Sequence, residues 1–171
     1  HVDGITRMNG YLAVSSDVEA RRLVYASPRT HYVVVGGEGF VPGSNVDYVN
    51  NHEEGGAYVN AAGEHALVAA VHLPQGAVVT QFEAFFYDDS SSDMTVSLRG
   101  QSLGGPDHVA MAEVSSSDRW GYDSQTDTTI EDSTIDNTAY SYSVYATSSA
   151  WSGDSLRIKG ALITYTISEA P

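Results

Sequence analysis

Residues 156–167, LRIKGALITYTI, read as one strand whose side chains change face midway. Leu156 and Ile158 alternate with Arg157 and Lys159, and beyond Gly160 the apolar positions move to Ala161, Ile163 and Tyr165. Alternation of this kind marks a strand with one buried face. A glycine where the phase slips marks a β-bulge, because one extra residue turns every following side chain over. Upstream, Ala139–Thr147 (AYSYSVYAT) sets Tyr140, Tyr142 and Val144 against Ser141, Ser143 and Tyr145, and Asp93–Arg99 puts Met94, Val96 and Leu98 on one face. Ala77–Asp88 (AVVTQFEAFFYD) is rich in β-branched and aromatic residues. It follows Glu64–Leu73 across the turn Pro74-Gln75-Gly76, so the two segments form either a hairpin or a sandwich corner. His108–Val114 alternates less cleanly.

The first half is less regular. His31–Val35 and Gly39–Pro42 read as strands around a Gly36-Gly37 break, and residues 43–63 hold short strand pieces at Val46–Val49 and Ala57–Val59. Ser16 and Glu19 have capping-box spacing, in competition with a strand over Arg22–Ala26. Strand after strand joined by Ser/Gly/Asp turns predicts an all-β protein, an antiparallel β-sandwich that is jelly-roll-like. The sandwich domain is assigned to residues 26–171. Residues 1–25, with weak alternation and no hairpin partner, are assigned to an N-terminal arm or donor segment.

Composition narrows the function. The 171 residues carry 22 acidic and 8 basic side chains, a net charge of −14, and no cysteine. A chain of this length buries enough surface to fold as one domain without a disulfide or metal staple. Nucleic acid is excluded as a partner, because phosphate contacts need clustered Lys and Arg, and the single lysine, Lys159, leaves no basic patch for anionic lipid. Membrane insertion is not expected, as no stretch approaches the ~20 apolar residues of a spanning helix. With 42% hydrophobic residues and 11 Tyr the chain is no disordered acidic tail. A start at His1 without an apolar leader is what a mature exported protein shows after its signal peptide is removed. The expected location is therefore extracellular or on the cell surface, and the lack of cysteine fits a bacterial or archaeal one.

The segments LPQGAVVTQFEAFFYDDSSSD (73–93), IDNTAYSYSVYAT (135–147) and LRIKGALITYT (156–166), preceded by GEGFVP (37–42), share a pattern. It comprises an LPxGA turn, a strand ending in YD, a Tyr-rich late strand and a last strand ending near YT. In these features the chain resembles a loosely defined group of exported bacterial β-sandwich domains. The resemblance implies fold and export, and it brings no catalytic residues. Residues 1–30 lie outside it.

Candidate chemistry is sparse. His1 offers an α-amine and an imidazole to a copper ion, but no HxH or HExxH spacing selects a second ligand among His31, His52, His65, His72 and His108. Ca²⁺ is a possible ligand of the acidic turns, first of Asp88, Asp89 and Asp93, then of Asp118–Asp127 and Glu131–Asp136. None of these matches the D-x-D-x-D-G loop, and Asx turns also account for such residues. No cofactor is required. The chain lacks G-x-S-x-G, and Gly36-Gly37-Glu38-Gly39 lacks the lysine of a phosphate loop, so no enzyme is expected.

Two binding readings remain. In the first, the protein is a non-catalytic extracellular structural subunit that self-assembles into a homo-oligomer, filament or surface layer. Its arm adds as a β-strand to a neighbour's sheet, with Ile5, Leu12 and Val14 as the inserted side chains. At −14 such copies must meet through surfaces poor in Asp and Glu, or through bridging cations. In the alternative, it is a carbohydrate-binding module of an exported protein. Trp120, Tyr122 and Trp151, placed in Ser/Asp/Gly loops, would then stack on the pyranose rings of a polysaccharide.

Overall fold

The structure is a computed structural model and describes residues 24–51 and 53–169. Among the described residues, eleven strands follow one another: β1 (Val24–Gly36), β2 (Val41–Pro42), β3 (Tyr48–Asn50), β4 (Ala57–Val59), β5 (His65–Val71), β6 (Val78–Asp88), β7 (Thr95–Ser102), β8 (His108–Ser115), β9 (Gly121–Asp127), β10 (Tyr140–Ser148) and β11 (Leu156–Glu169). They form two antiparallel sheets packed as a β-sandwich, the fold class expected from the alternating segments.

The first sheet runs β3-β4-β11-β6-β9, with β1 also on β11. Since β6 pairs with β11 from Leu156 to Thr166, β4 and β1 share its opposite edge, β4 at Ile158 and β1 from Gly160 onward. The second sheet runs β2-β5-β10-β7-β8. The Pro74-Gln75-Gly76 turn therefore makes a sandwich corner: β5 lies in one sheet and β6 in the other. β7 and β8 form a hairpin, whereas β9, β10 and β11 cross from sheet to sheet in succession.

The core lies between the sheets, where Phe40, Leu67, Phe82, Phe86, Leu98, Ile158 and Ile163 are fully buried. The phase change in the last strand is real. The β6–β11 register shifts between Ile158 and Gly160, and Gly160 has φ +151°. A Cβ there would stand 2.6 Å from the Val35 carbonyl oxygen on β1, so the bulge and the close approach of β1 both require glycine.

One strand was not expected. Residues 121–127 (GYDSQTD) read as an acidic loop but form β9, paired residue for residue with Asp88–Phe82. The segment has little apolar content to bury, and its place comes from the hydrogen-bonding edge of β6. Conversely, β1 includes Val24 and Tyr25, which belong to the stretch assigned to the arm. The arm residues Ile5, Leu12 and Val14 lie outside the described residues, as do His1 and His52.

A buried polar stitch joins the sheets near the end of β6. The Ser116 hydroxyl donates to Asp88 Oδ2 at 2.5 Å and accepts from the Met94 N–H at 2.8 Å, and the Ser90 N–H donates to Asp88 Oδ1. Buried polar groups are stable only with such partners.

Candidate functional site: an aromatic face on the first sheet

On the outer face of the first sheet, cross-strand pairing brings Tyr122 of β9 beside Tyr87 of β6, and Tyr87 beside Arg157 of β11. The two tyrosine rings are tilted, with centroids 4.8 Å apart. Phe85 and Ser124 form the next pair along the same face. The Ser124 hydroxyl donates to Glu83 Oε1 at 2.8 Å. A shallow concavity of about 380 Å³ is lined here by Phe85, Tyr122, Asp123, Ser124 and Lys159. Tyr122 is 64% exposed, and Trp120, on the loop that enters β9, is 69% exposed.

Two cations underlie this face. The Arg157 guanidinium lies 4.4 Å from the Tyr87 ring centroid and pairs with Glu54; Lys159 Nζ lies 5.1 Å from that of Tyr122. The Lys159 ammonium donates to the carbonyls of Glu54 and Gly55. The two side chains thus tie the 53–56 turn to β11. Gly56, with φ +114°, permits that approach, since a Cβ would meet the Ile158 carbonyl oxygen at 2.7 Å. Burial works against the charge on Arg157, but its bond to Glu54 and that carboxylate's field outweigh it and raise the pKa. For Lys159, burial and then the field of Arg157 lower it. Tyr87 is raised by burial and by the Asp89 carboxylate, which accepts its hydroxyl at 3.4 Å.

The proposed aromatic trio divides. Trp120 and Tyr122 are open to solvent, with Tyr122 on a strand rather than in a loop. Trp151 is only 6% exposed, and its indole N–H donates to the His65 carbonyl at 2.9 Å. It closes the core and has no face for a ligand. Phe85 and Tyr87, which complete the face, had been read as strand residues alone. Their signal was the FFYD run itself, in which neighbouring aromatics must point to opposite faces.

The acidic trio divides too. Asp88 is buried on Ser116 and the Ser90 N–H, whereas Asp89 and Asp93 are exposed. Among the described residues no three His, Asp or Glu side chains converge as metal ligands. Asp123 and Asp127 lie on β9, where Asp123 pairs with Arg119 and Asp127 accepts the Glu113 N–H. A second concavity, of about 500 Å³, opens by the β9–β10 connection and is lined by Gly100, Met111, Ile130, Asp132, Tyr140 and Tyr142. The Tyr142 hydroxyl accepts the Asp136 N–H at 2.8 Å, and its pKa is raised by burial.

No family model and no curated protein matches the chain. Among solved structures, it is similar to the C-terminal CBM6 of LamC, a marine laminarinase from Zobellia galactanivorans. That match has a TM-score of 0.48 at 14% identity over 78% of this chain and 99% of the other. It is also similar to a carbohydrate-binding module of the β-sandwich superfamily described as promiscuous in specificity (TM-score 0.43, 14% identity, 85% and 74% covered). A third is the family 11 carbohydrate-binding module from Clostridium thermocellum, in complex with a β-1,3-1,4-mixed-linked tetrasaccharide (TM-score 0.37, 12% identity, 80% and 88% covered). Likenesses this distant assign no role to any residue of this chain.

Proposed function

We propose that the protein is a non-catalytic carbohydrate-binding domain whose ligand lies on the outer face of β9, β6 and β11. The observation that carries the reading is the exposed pair Tyr122 and Phe85 on the sheet, with exposed Trp120 on the loop that enters β9, beside polar side chains. A pyranose presents one face of C–H groups and a rim of hydroxyls. The flat rings suit the first, and Ser124 and Glu83, which share the outer face with Tyr122, suit the second. The ring of Tyr122 is backed by Lys159 and that of Tyr87 by Arg157 and by each other, so binding costs little ordering.

Charge narrows the ligand. With 22 carboxylates in the chain and both cations of the face engaged by the 53–56 turn, an acidic polysaccharide is repelled and a neutral one is not. The test is a glycan array probed with the whole chain and with Trp120→Ala and Tyr122→Ala. Retention on neutral glycans, lost in either variant while Trp120→Phe keeps part of it, supports the reading. Retention that neither alanine variant weakens, or no retention on any glycan, defeats it.

Self-assembly through the arm residues Ile5, Leu12 and Val14 falls outside the described residues. A different part of the sheet bears on self-association.

A further inference from the structure

From the edge of β1 with which no described strand pairs, we infer that two copies of this chain associate by antiparallel β1–β1 pairing, which makes one continuous sheet of their first sheets. β1 is paired along Arg29–Gly36 with Ile167–Gly160 of β11, and no other strand among the described residues pairs with it. Every second residue of that run therefore turns an N–H and a C=O toward an edge that no described strand occupies. A long, regular, uncharged edge is a template for strand addition, and native sheets usually blunt such edges with lysine or short length. Here Pro28, Arg29 and a register irregularity blunt only the start of the strand, and the run THYVVVG (30–36) beyond them carries no such device.

The side chains at this edge are apolar on the outside. Val34 is 73% exposed and Tyr32 64%, and they lie beside Leu162 and Thr164 of β11. His31, Val33 and Val35 alternate to the inner side, with His31 stacked on Tyr165 at 5.6 Å. Pro28 stands in the same strand, a residue that sheets accept at an edge.

Charge selects a second copy as the occupant. The chain carries 22 carboxylates, yet β1 contains none and β11 contains none from Leu156 to Ser168. Across the strands from Val34, the first carboxylate met is Glu83 on β6, beyond Leu162. Apart from Glu38, whose carboxylate stands beside Gly36 at the end of β1, this strip lets two molecules of net charge −14 approach without facing carboxylates.

The sequence is also self-complementary in an antiparallel register. Centred on Val33, it sets Tyr32 of each copy opposite Val34 of the other, and His31 opposite Val35. Aromatic–β-branched pairs of this kind stabilise antiparallel strands. The two-fold axis of such a pairing stands perpendicular to the sheet, so both outer faces remain on the same side.

The experiment is sedimentation velocity on the whole chain over a range of concentrations, at moderate salt. Three variants accompany it: Val34→Lys, Thr126→Lys, and the double variant Leu12→Asp with Val14→Asp. Thr126 lies on β9 at the far side of the same sheet and controls for the change in net charge. Circular dichroism checks that each variant is folded; Thr30→Lys, at the same exposed edge, replaces Val34→Lys if that one is not. A concentration-dependent dimer that the β1 lysine abolishes, and that Thr126→Lys and the double arm variant keep, supports the inference. A monomer at every concentration overturns it, as does a dimer indifferent to the β1 lysine. A dimer lost in the double arm variant also overturns it, because residues 1–23 are then the strand that fills the edge.

Discussion

β11 and β9 flank the same strand, β6, and hold their places by opposite means. β11 buries Leu156, Ile158, Ala161 and Ile163, makes a glycine bulge, and uses Arg157 and Lys159 to fasten the 53–56 turn. Its inner side is committed to the core, and Arg157 and Lys159 at its start are committed to that turn. β9 is GYDSQTD; its backbone follows the edge of β6, and its one large side chain, Tyr122, faces solvent. A strand with little to bury keeps its aromatic ring available. The proposed ligand surface thus lies where the core contributes least, beside neighbours that the core holds in place.

Removing a buried side chain from β11 gives the largest expected effect. Ile158→Ala opens a cavity in a fully packed site and should cost about 2–5 kcal/mol, read from the shift of the urea midpoint at unchanged slope. Tyr122→Ala on β9, which loses the contacts with Tyr87 and Lys159 but opens no core cavity, should cost about 0.5–1.5 kcal/mol. If the two costs are alike, the contrast between the strands is wrong.

The stitch between the sheets comes next. Ser116→Ala leaves the Met94 N–H without its acceptor and Asp88 without its hydroxyl donor, a loss of about 1–3 kcal/mol. A neutral result in chemical denaturation would mean that water replaces the hydroxyl and that the sheets are held by apolar packing alone.

The smallest effect belongs to the β9–β10 connection. Asp136 accepts the Thr138 hydroxyl and N–H and the Gln75 amide, which hold its pKa below 3.8. A carboxylate held low in the folded state favours folding at pH above its unfolded value. That contribution is lost as the pH falls through the depressed folded value. The melting temperature of Asp136→Asn should therefore fall less than that of the parent chain between pH about 5 and about 2. Parallel curves would show that the turn draws nothing from the ionised form.

Much of this architecture was legible in residue order. The change of phase at Gly160 located both the bulge and the last strand, and alternation at Tyr140, Tyr142 and Val144 placed the inner face of β10. Alternation survives wherever one face is apolar and buried. It fails for β9, whose composition resembles a turn and whose pairing partner lies more than thirty residues earlier, at Phe82–Asp88. The candidate site was half legible for the same reason. Trp120 and Tyr122 stood out by type, but burial separates them from Trp151, and burial depends on contacts with His65, distant in sequence. Phe85 and Tyr87 were visible as aromatic residues; that they share a face with Tyr122 follows only from the register of β6 with β9.

The most direct test of the binding face is a titration of the labelled protein with a neutral oligosaccharide retained on the array, followed by chemical-shift mapping. The account predicts that shifts gather at the Trp120 indole, Tyr122, Ser124, Phe85 and Tyr87. Shifts centred instead on Gly100, Met111, Tyr140 and Tyr142, in the concavity by the β9–β10 connection, would contradict it.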